Sequence, residues 1–215
     1  NYGLYAYSDG YSGALWDGIY AGDRGAVRDV TTVLDLWKDK EGYSIDYNMA
    51  RVMRVYTMHR LTDLYGDVPY SEAGRPKEFS YPKYDKQQDI YMDMLKELDE
   101  AQAKFGSGVA KKGDHDVYFR GNAAQWKKFA NSLKCRLAIH VSKVDSNWKT
   151  YIAEAVASGV FESNEDNAVY KYSVTAPEQC GFYIAWFDDK RNDFTMARPF
   201  VDLLKGQKDT LNAKT

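Results

Sequence analysis

The segment Gly181-Phe-Tyr-Ile-Ala-Trp-Phe-Asp-Asp-Lys-Arg-Asn-Asp-Phe194 holds the side chains best suited to chemistry in this chain. Phe182, Tyr183, Trp186 and Phe187 stand beside Asp188, Asp189, Arg191 and Asn192. Flat rings cover the apolar face of a polyol, and planar polar groups take up its hydroxyls. Phe182, Tyr183, Trp186, Asp188, Arg191 and Asn192 are therefore the candidate ligand residues, although the same rings could equally bury themselves under further chain. Acid–base chemistry is less well served. Glycoside hydrolysis needs two carboxylates at a defined gap, one with a raised pKa. Asp63, Asp67, Glu72, Asp188, Asp189 and Asp193 are available, but no pattern sets two of them across a cleft.

Asp63 and Asp67 flank Tyr65-Gly66 and could share a calcium ion with turn carbonyls, yet no run resembles a calcium loop. Hydrogen bonds between Asp63 or Asp67 and nearby backbone amides are the preferred reading. His59, His115 and His140 are widely spaced and match no zinc pattern. Cys135 and Cys180 have no metal or redox spacing. Cys135, inside a strong helical pattern, reads as a buried free thiol, with a disulfide to Cys180 permitted in an oxidising compartment. No Gly-rich phosphate loop or nucleophile elbow occurs. No catalytic residue, metal or cofactor is expected.

The elements that must position these groups are nearly all helical. Residues 11–21 and 26–38 read as a pair divided by Gly22-Asp23-Arg24-Gly25, with Val30, Val33, Leu34 and Trp37 as a stripe on the second. A third helix runs from about Ser44 to Leu64, with Met49, Val52, Met53, Tyr56, Leu61 and Leu64 on one apolar face. Residues 66–83 hold three of the five prolines and read as loop. Asp85 with Gln88 matches the reciprocal capping pattern for a fourth helix, whose face is Tyr91, Met94, Leu95, Leu98, Ala101, Gln102 and Phe105. Gly106-Ser-Gly108 ends it, and a polar link spans Lys111 to Gly121.

Asn122 and Gln125 repeat the capping pattern for a fifth helix with Trp126, Phe129, Ala130, Leu133 and Leu137 inward. Asn147 to Ser158 forms a sixth, closed by Gly159. Residues 160–198 lose periodicity, and a short helix covers Pro199 to Lys205. Consecutive helices on short turns suggest antiparallel pairs. Periodicity alone supports a helical array, because the tetratricopeptide signature is poor here.

Between the third and fourth helices lies Arg60-Leu-Thr-Asp-Leu-Tyr-Gly-Asp-Val-Pro-Tyr-Ser-Glu-Ala73. Gly66 and Pro69 stop the helix, since Gly supplies positive φ past a helix end and Val68, preceding a proline, is pushed extended. Tyr65 and Tyr70 are thereby held on a rigid corner. Tyr65, Gly66, Asp67, Pro69 and Tyr70 read as a structural turn that seals helix packing.

Composition narrows the class. Over 215 residues, 44% hydrophobic and 28% charged residues fit a globular chain with a sizeable core. A net charge of −2, with no basic cluster interleaved with aromatics, argues against a nucleic-acid partner. The 18 Tyr, 5 Trp and 9 Phe suit either ligand stacking or a helical-repeat core. No apolar run approaches the length of a membrane span. The chain begins at Asn1 with no signal peptide, as a processed or partial chain would.

The Arg60–Ala73 stretch resembles the turn of the SusD/RagB family of surface nutrient-binding lipoproteins. Three further segments look like that family in the same order: Tyr84-Asp-Lys-Gln-Gln-Asp-Ile-Tyr91, Asn122 to Ala138, and Arg191-Asn192-Asp193-Phe194 followed by Phe200-Val-Asp-Leu-Leu204. Asp209-Thr210-Leu211-Asn212 departs from the family's usual continuation. The resemblance implies an all-α fold of tetratricopeptide-like antiparallel helix pairs with long irregular aromatic-rich loops. Residues 1–215 would form a single SusD-like helical domain lacking its C-terminal part.

It further implies a non-enzymatic protein on the extracellular face of an outer membrane, held by a lipid anchor not present in this chain. Such a protein captures oligosaccharide and delivers it to a TonB-dependent SusC-like barrel as its lid. The same lid could serve peptides or another polymer. A helical-repeat adaptor that binds only protein and an (α/α)-type hydrolase are the remaining alternatives.

Overall fold

In the computed structural model, the residues described are 9–21, 25–176, 178–191 and 196–206. They fall into two compact units that divide between Val169 and Tyr170. In the first, α1 (Asp9–Tyr20), α2 (Ala26–Trp37), α3 (Ser44–Tyr65), α4 (Gln87–Lys104), α5 (Ala123–His140) and α6 (Trp148–Ser158) follow one another. From α2 to α6, each helix packs on the next, as in antiparallel helix pairs stacked into a tetratricopeptide-like array. The Gly22-Asp23-Arg24 part of the break between α1 and α2 lies outside the described residues.

The core follows the expected helical steps on α4 and α5. Tyr91, Met94, Leu95, Leu98 and Ala101 of α4 meet Trp126, Ala130, Leu133 and Leu137 of α5 in one buried cluster. The α3 face differs from the single stripe expected of it. Val52, Val55, Met58 and Leu61 are buried, as are His59 and Thr62, whereas Leu64 is 68% exposed. A central helix with neighbours on both sides, α2 and α4, buries more than one stripe, so periodicity under-reads it.

Buried charges cross these helix interfaces. Arg51 of α3 donates to Glu97 at 2.8 Å and to Glu100, both on α4. Lys134 of α5, 1% exposed, reaches Asp99 of α4 at 2.6 Å and Glu154 of α6 at 2.8 Å. The long link before α5 is organised by two buried carboxylates. Asp46 accepts the N–H groups of Lys111 and Lys112, and Asp116 accepts those of Tyr118, Phe119 and Gly121 together with Trp126 Nε1.

The expected loop 66–83 is bounded by a short antiparallel ladder, β1 (Val68–Pro69) with β2 (Tyr84–Asp85). This ladder overturns one expected cap. Asp85 lies in β2, so α4 begins at Gln87 after Lys86, whose side chain makes no capping bond. Asn122 does cap α5, accepting from the N–H of Ala124 and Gln125. The reciprocal half is missing: the Asn122 N–H goes to the Phe119 carbonyl, and Gln125 Oε1 has no hydrogen-bond partner among the described residues.

In the second unit, a turn of α-helix (α7, Gly181–Tyr183) runs into a π-helical turn (Ile184–Asp188), and α8 covers Arg198–Gly206. Its described residues are all at least partly exposed.

Candidate functional site

The first candidate site is built by the corner after α3. Gly66 turns the chain with φ +74° and ψ −123°, and Thr62 Oγ1 donates to its carbonyl at 2.6 Å. Asp67 then reaches forward, its Oδ1 accepting the N–H of Gln87 at 2.8 Å. Pro69 is buried, and the Tyr20 hydroxyl of α1 donates to its carbonyl. Tyr65 donates to the carbonyl of Ser12. Tyr70 is buried, donates to Asp93 at 2.6 Å and lies under the Arg54 guanidinium at 4.3 Å. Burial, with Asp93 beside it, pushes the Tyr70 phenol above its ordinary range, so it stays protonated and donates to Asp93.

Asp85 closes the corner from β2. Its carboxylate accepts the N–H groups of Tyr70 and Ser71 and the Ser71 hydroxyl. Over this frame lies an open pocket of about 460 Å³, lined by Trp16, Tyr20, Phe79 and the rings of Pro69, Pro76 and Pro82. Arg28, Glu72 and Arg75 stand on its polar side. Trp16 is fixed there by Tyr84, stacked at 6.2 Å, and by the edges of Tyr20 and Tyr65. Rings on the floor with charged groups at the rim are what a polyol requires. Sequence reasoning missed Trp16 and Phe79 as members of this pocket. For Phe79 the signal available was the aromatic and proline content of residues 69–84; Trp16 had none.

A second, wider groove of about 1030 Å³ runs past Asp63, Gln87, Gln88, Tyr91, His140 and Asp145. Tyr91 donates to Asp63, and His140 Nδ1 stands 3.3 Å from Asp63 Oδ2. Of the two carboxylates expected to accept backbone amides, Asp67 does so and Asp63 serves side chains instead.

The aromatic segment of the second unit forms i,i+4 ring pairs. Phe182 faces Trp186 at 5.8 Å, and Tyr183 faces Phe187 at 4.8 Å. Phe182, Trp186 and Phe187 are largely exposed. Asp188 accepts from Gln179 Nε2 at 3.2 Å. The N–H of Arg191 closes the turn on Ala185 at 2.8 Å. Asn192, Asp193 and Phe194 lie outside the described residues, as do residues 209–212.

Cys135 and Cys180 are both free thiols. Burial raises the Cys135 thiol, and burial lowers the His59 imidazole, which keeps it neutral in the core. Among the described residues, no group of three His, Cys, Asp or Glu side chains is placed to hold a metal ion. Nor is any helix among them long and apolar enough to cross a membrane.

A family model described as "SusD-like_2: Starch-binding associating with outer membrane" matches residues 1–212. Among solved structures, a chitin-binding protein is 33% identical with a TM-score of 0.82, covering 95% of this chain and 43% of its own. A SusD-like protein of Bacteroidetes AC2a is 32% identical with a TM-score of 0.81, over 96% of this chain and 40% of its own. A SusD homologue from Bacteroides uniformis is 31% identical, with a TM-score of 0.66 over 81% of this chain and 37% of its own. The chain thus spans about two fifths of the length of these structures. No curated protein matches it.

Proposed function

Because the chain belongs to the SusD-like family, we propose that it is the helical part of a non-enzymatic oligosaccharide-capture protein on the outer membrane. The observation that carries this reading is the 460 Å³ corner pocket, walled by Trp16, Tyr20, Phe79 and three prolines with charged groups at one side. Stacking on rings selects sugar faces, and rim polar groups read hydroxyls. The segment bearing Phe182, Tyr183, Trp186, Asp188, Arg191 and Asn192 is proposed as a further ligand contact, on the same chemistry. The protein would act as the lid of a SusC-like TonB-dependent barrel and would be held to the extracellular face by a lipid anchor. Residues 1–215 would then be part of a single larger SusD-like domain.

Two measurements test the proposal. Calorimetry with starch-type and chitin-type oligosaccharides, against peptides of similar length, should show binding of at least one glycan and of no peptide. Saturable peptide binding without glycan binding would move the same lid role to another cargo. Purification of the native protein in mild detergent should recover a TonB-dependent barrel at near-equal stoichiometry. Recovery without a barrel, in the soluble fraction, would overturn the lid assignment.

A further inference from the structure

A smaller cleft of about 240 Å³ opens on the other side of the turn, between α2, α3 and residues 71–75. It shares Ala73 and Arg75 with the corner pocket. Four cations line it: Lys38, Arg51, Arg54 and Arg75. Two carboxylates, Asp35 and Glu97, line it as well, and these and the others nearby are already committed. Glu97 and Glu100 are held by Arg51, Asp35 by Arg75 at 2.5 Å, and Asp93 takes the Tyr70 hydroxyl. Asp85, beyond Ser71, is engaged by the turn amides and by Lys83.

Arg54 and Lys38 are left without a carboxylate among the described residues. Arg54 spends one Nη2 hydrogen bond on the Tyr70 carbonyl at 3.3 Å and rests its face on the Tyr70 ring. Its remaining N–H groups have no protein partner among the described residues. Arg75 Nε likewise lacks one. The Tyr47 hydroxyl, also on the lining, adds a donor with no protein partner among the described residues.

The wall that carries Arg75 is rigid. Gly74 has φ +80°, and a Cβ there would stand 2.6 Å from Thr31 Oγ1 and 2.9 Å from the Val27 carbonyl. The turn backbone is thus pressed against α2, and the Arg75 guanidinium is held there by Asp35 of α2. A planar guanidinium with free N–H groups is the side chain suited to carboxylate and sulfate oxygens. The volume suits a charged substituent or one ring, not a chain of sugars.

We propose that this cleft is an oxyanion subsite, taking a carboxylate or sulfate group borne by a sugar whose neighbouring ring occupies the corner pocket. The reading as an acidic glycan rests on the capture role above; binding of the anion itself does not. Arg54 is the principal contact, with Arg75 and Tyr47 completing the donor set. Arg51 is not counted in that set, because Glu97 and Glu100 hold its charge.

The test uses the whole chain with galacturonate, galactose 6-sulfate, neutral galactose and inorganic sulfate, by calorimetry and by the arginine Nε resonances. At least one acidic sugar should bind on the order of tenfold more tightly than galactose, and added salt should erode the difference. Arg54→Gln should abolish that preference, and Arg54→Lys should retain part of it. Preference for galacturonate identifies a uronate site, and preference for the sulfate ester identifies a sulfate site. Equal binding of neutral and acidic sugars, or an Arg54→Gln protein with its preference intact, overturns the proposal. Neutral glycan binding without any anion effect removes this subsite and leaves the capture role standing. Arg54-dependent binding of inorganic sulfate, with no sugar bound, supports the subsite and removes the capture role. If Arg54→Gln fails to fold, the Arg54 and Arg75 Nε shifts on sulfate titration of the unmodified chain decide: no movement overturns it.

Discussion

Asp67 caps a helix to which it does not belong. Its Oδ1 accepts the N–H of Gln87, the first residue of α4, from twenty residues earlier in the chain. Gln87 returns the connection through its side chain, whose Nε2 donates to the Thr62 carbonyl near the end of α3 at 2.7 Å. The end of one helix and the start of the next are thus tied by a pair of reciprocal bonds across the corner.

Removal of the cap should therefore act on stability first. Asp67→Ala is expected to cost about 1 kcal/mol, the usual loss for a missing N-cap acceptor. Asp67→Asn, which keeps an oxygen at the same position, should cost less. Urea unfolding followed by circular dichroism reads both, and an unchanged midpoint in Asp67→Ala would show that the tie carries no energy.

Acid should loosen the same corner. Burial opposes ionisation of Asp85, but the N–H and hydroxyl of Ser71, the N–H of Tyr70 and the Lys83 ammonium together hold its carboxyl below the usual range. Arg51 does the same for Glu100, and the Glu162 N–H with Lys128 does so for Asp166. A lowered folded pKa contributes stability above the unfolded value, and that stability is lost as pH falls through the folded one. Stability from these groups should thus be level above about pH 5 and decline below about pH 4. Asp85→Asn should flatten part of that decline; an identical pH profile would remove Asp85 from it.

The buried ammonium of Lys134 gives an asymmetric expectation. Its partners are about half exposed, with Asp99 at 45% and Glu154 at 58%, so they regain water if the lysine is replaced. Lys134→Met should stay within about 1 kcal/mol of the parent, since a hydrophobe of similar length fills the site. Asp99→Asn combined with Glu154→Gln strands the charge instead and should cost about 3 kcal/mol. Equal losses in the two variants, measured by urea unfolding, would contradict this.

Ligand binding should depend on exposed rings more than on the buried turn. Phe79→Ala and Trp186→Ala are each expected to weaken oligosaccharide binding by roughly three- to tenfold, the value of one aromatic contact. Both residues are substantially exposed, so melting temperatures should hardly move. Calorimetry on each variant separates the two surfaces: unchanged affinity removes the corresponding ring from the site.

The sequence alone determined what depends on neighbours three or four positions away. Helix extents, the buried face of α4 and α5, the Asn122 cap and the Gly66 and Gly159 stops all express local backbone geometry and one-sided burial. Four family-like segments in order also carried the fold class. Tertiary structure decided whatever required partners distant in the chain. Asp85 matched a cap by spacing, but pairing with β1 drew it into an extended strand and left Asp67 to do the capping. Leu64 fitted an apolar stripe yet faces solvent, because helices on both sides of α3 set which of its surfaces are enclosed. The corner pocket gathers Trp16, Pro69 and Phe79, and the cationic cleft gathers Lys38, Arg54 and Arg75. Neither set has a spacing to detect, since each side chain is delivered by a different element and the cavities exist only where those elements pack.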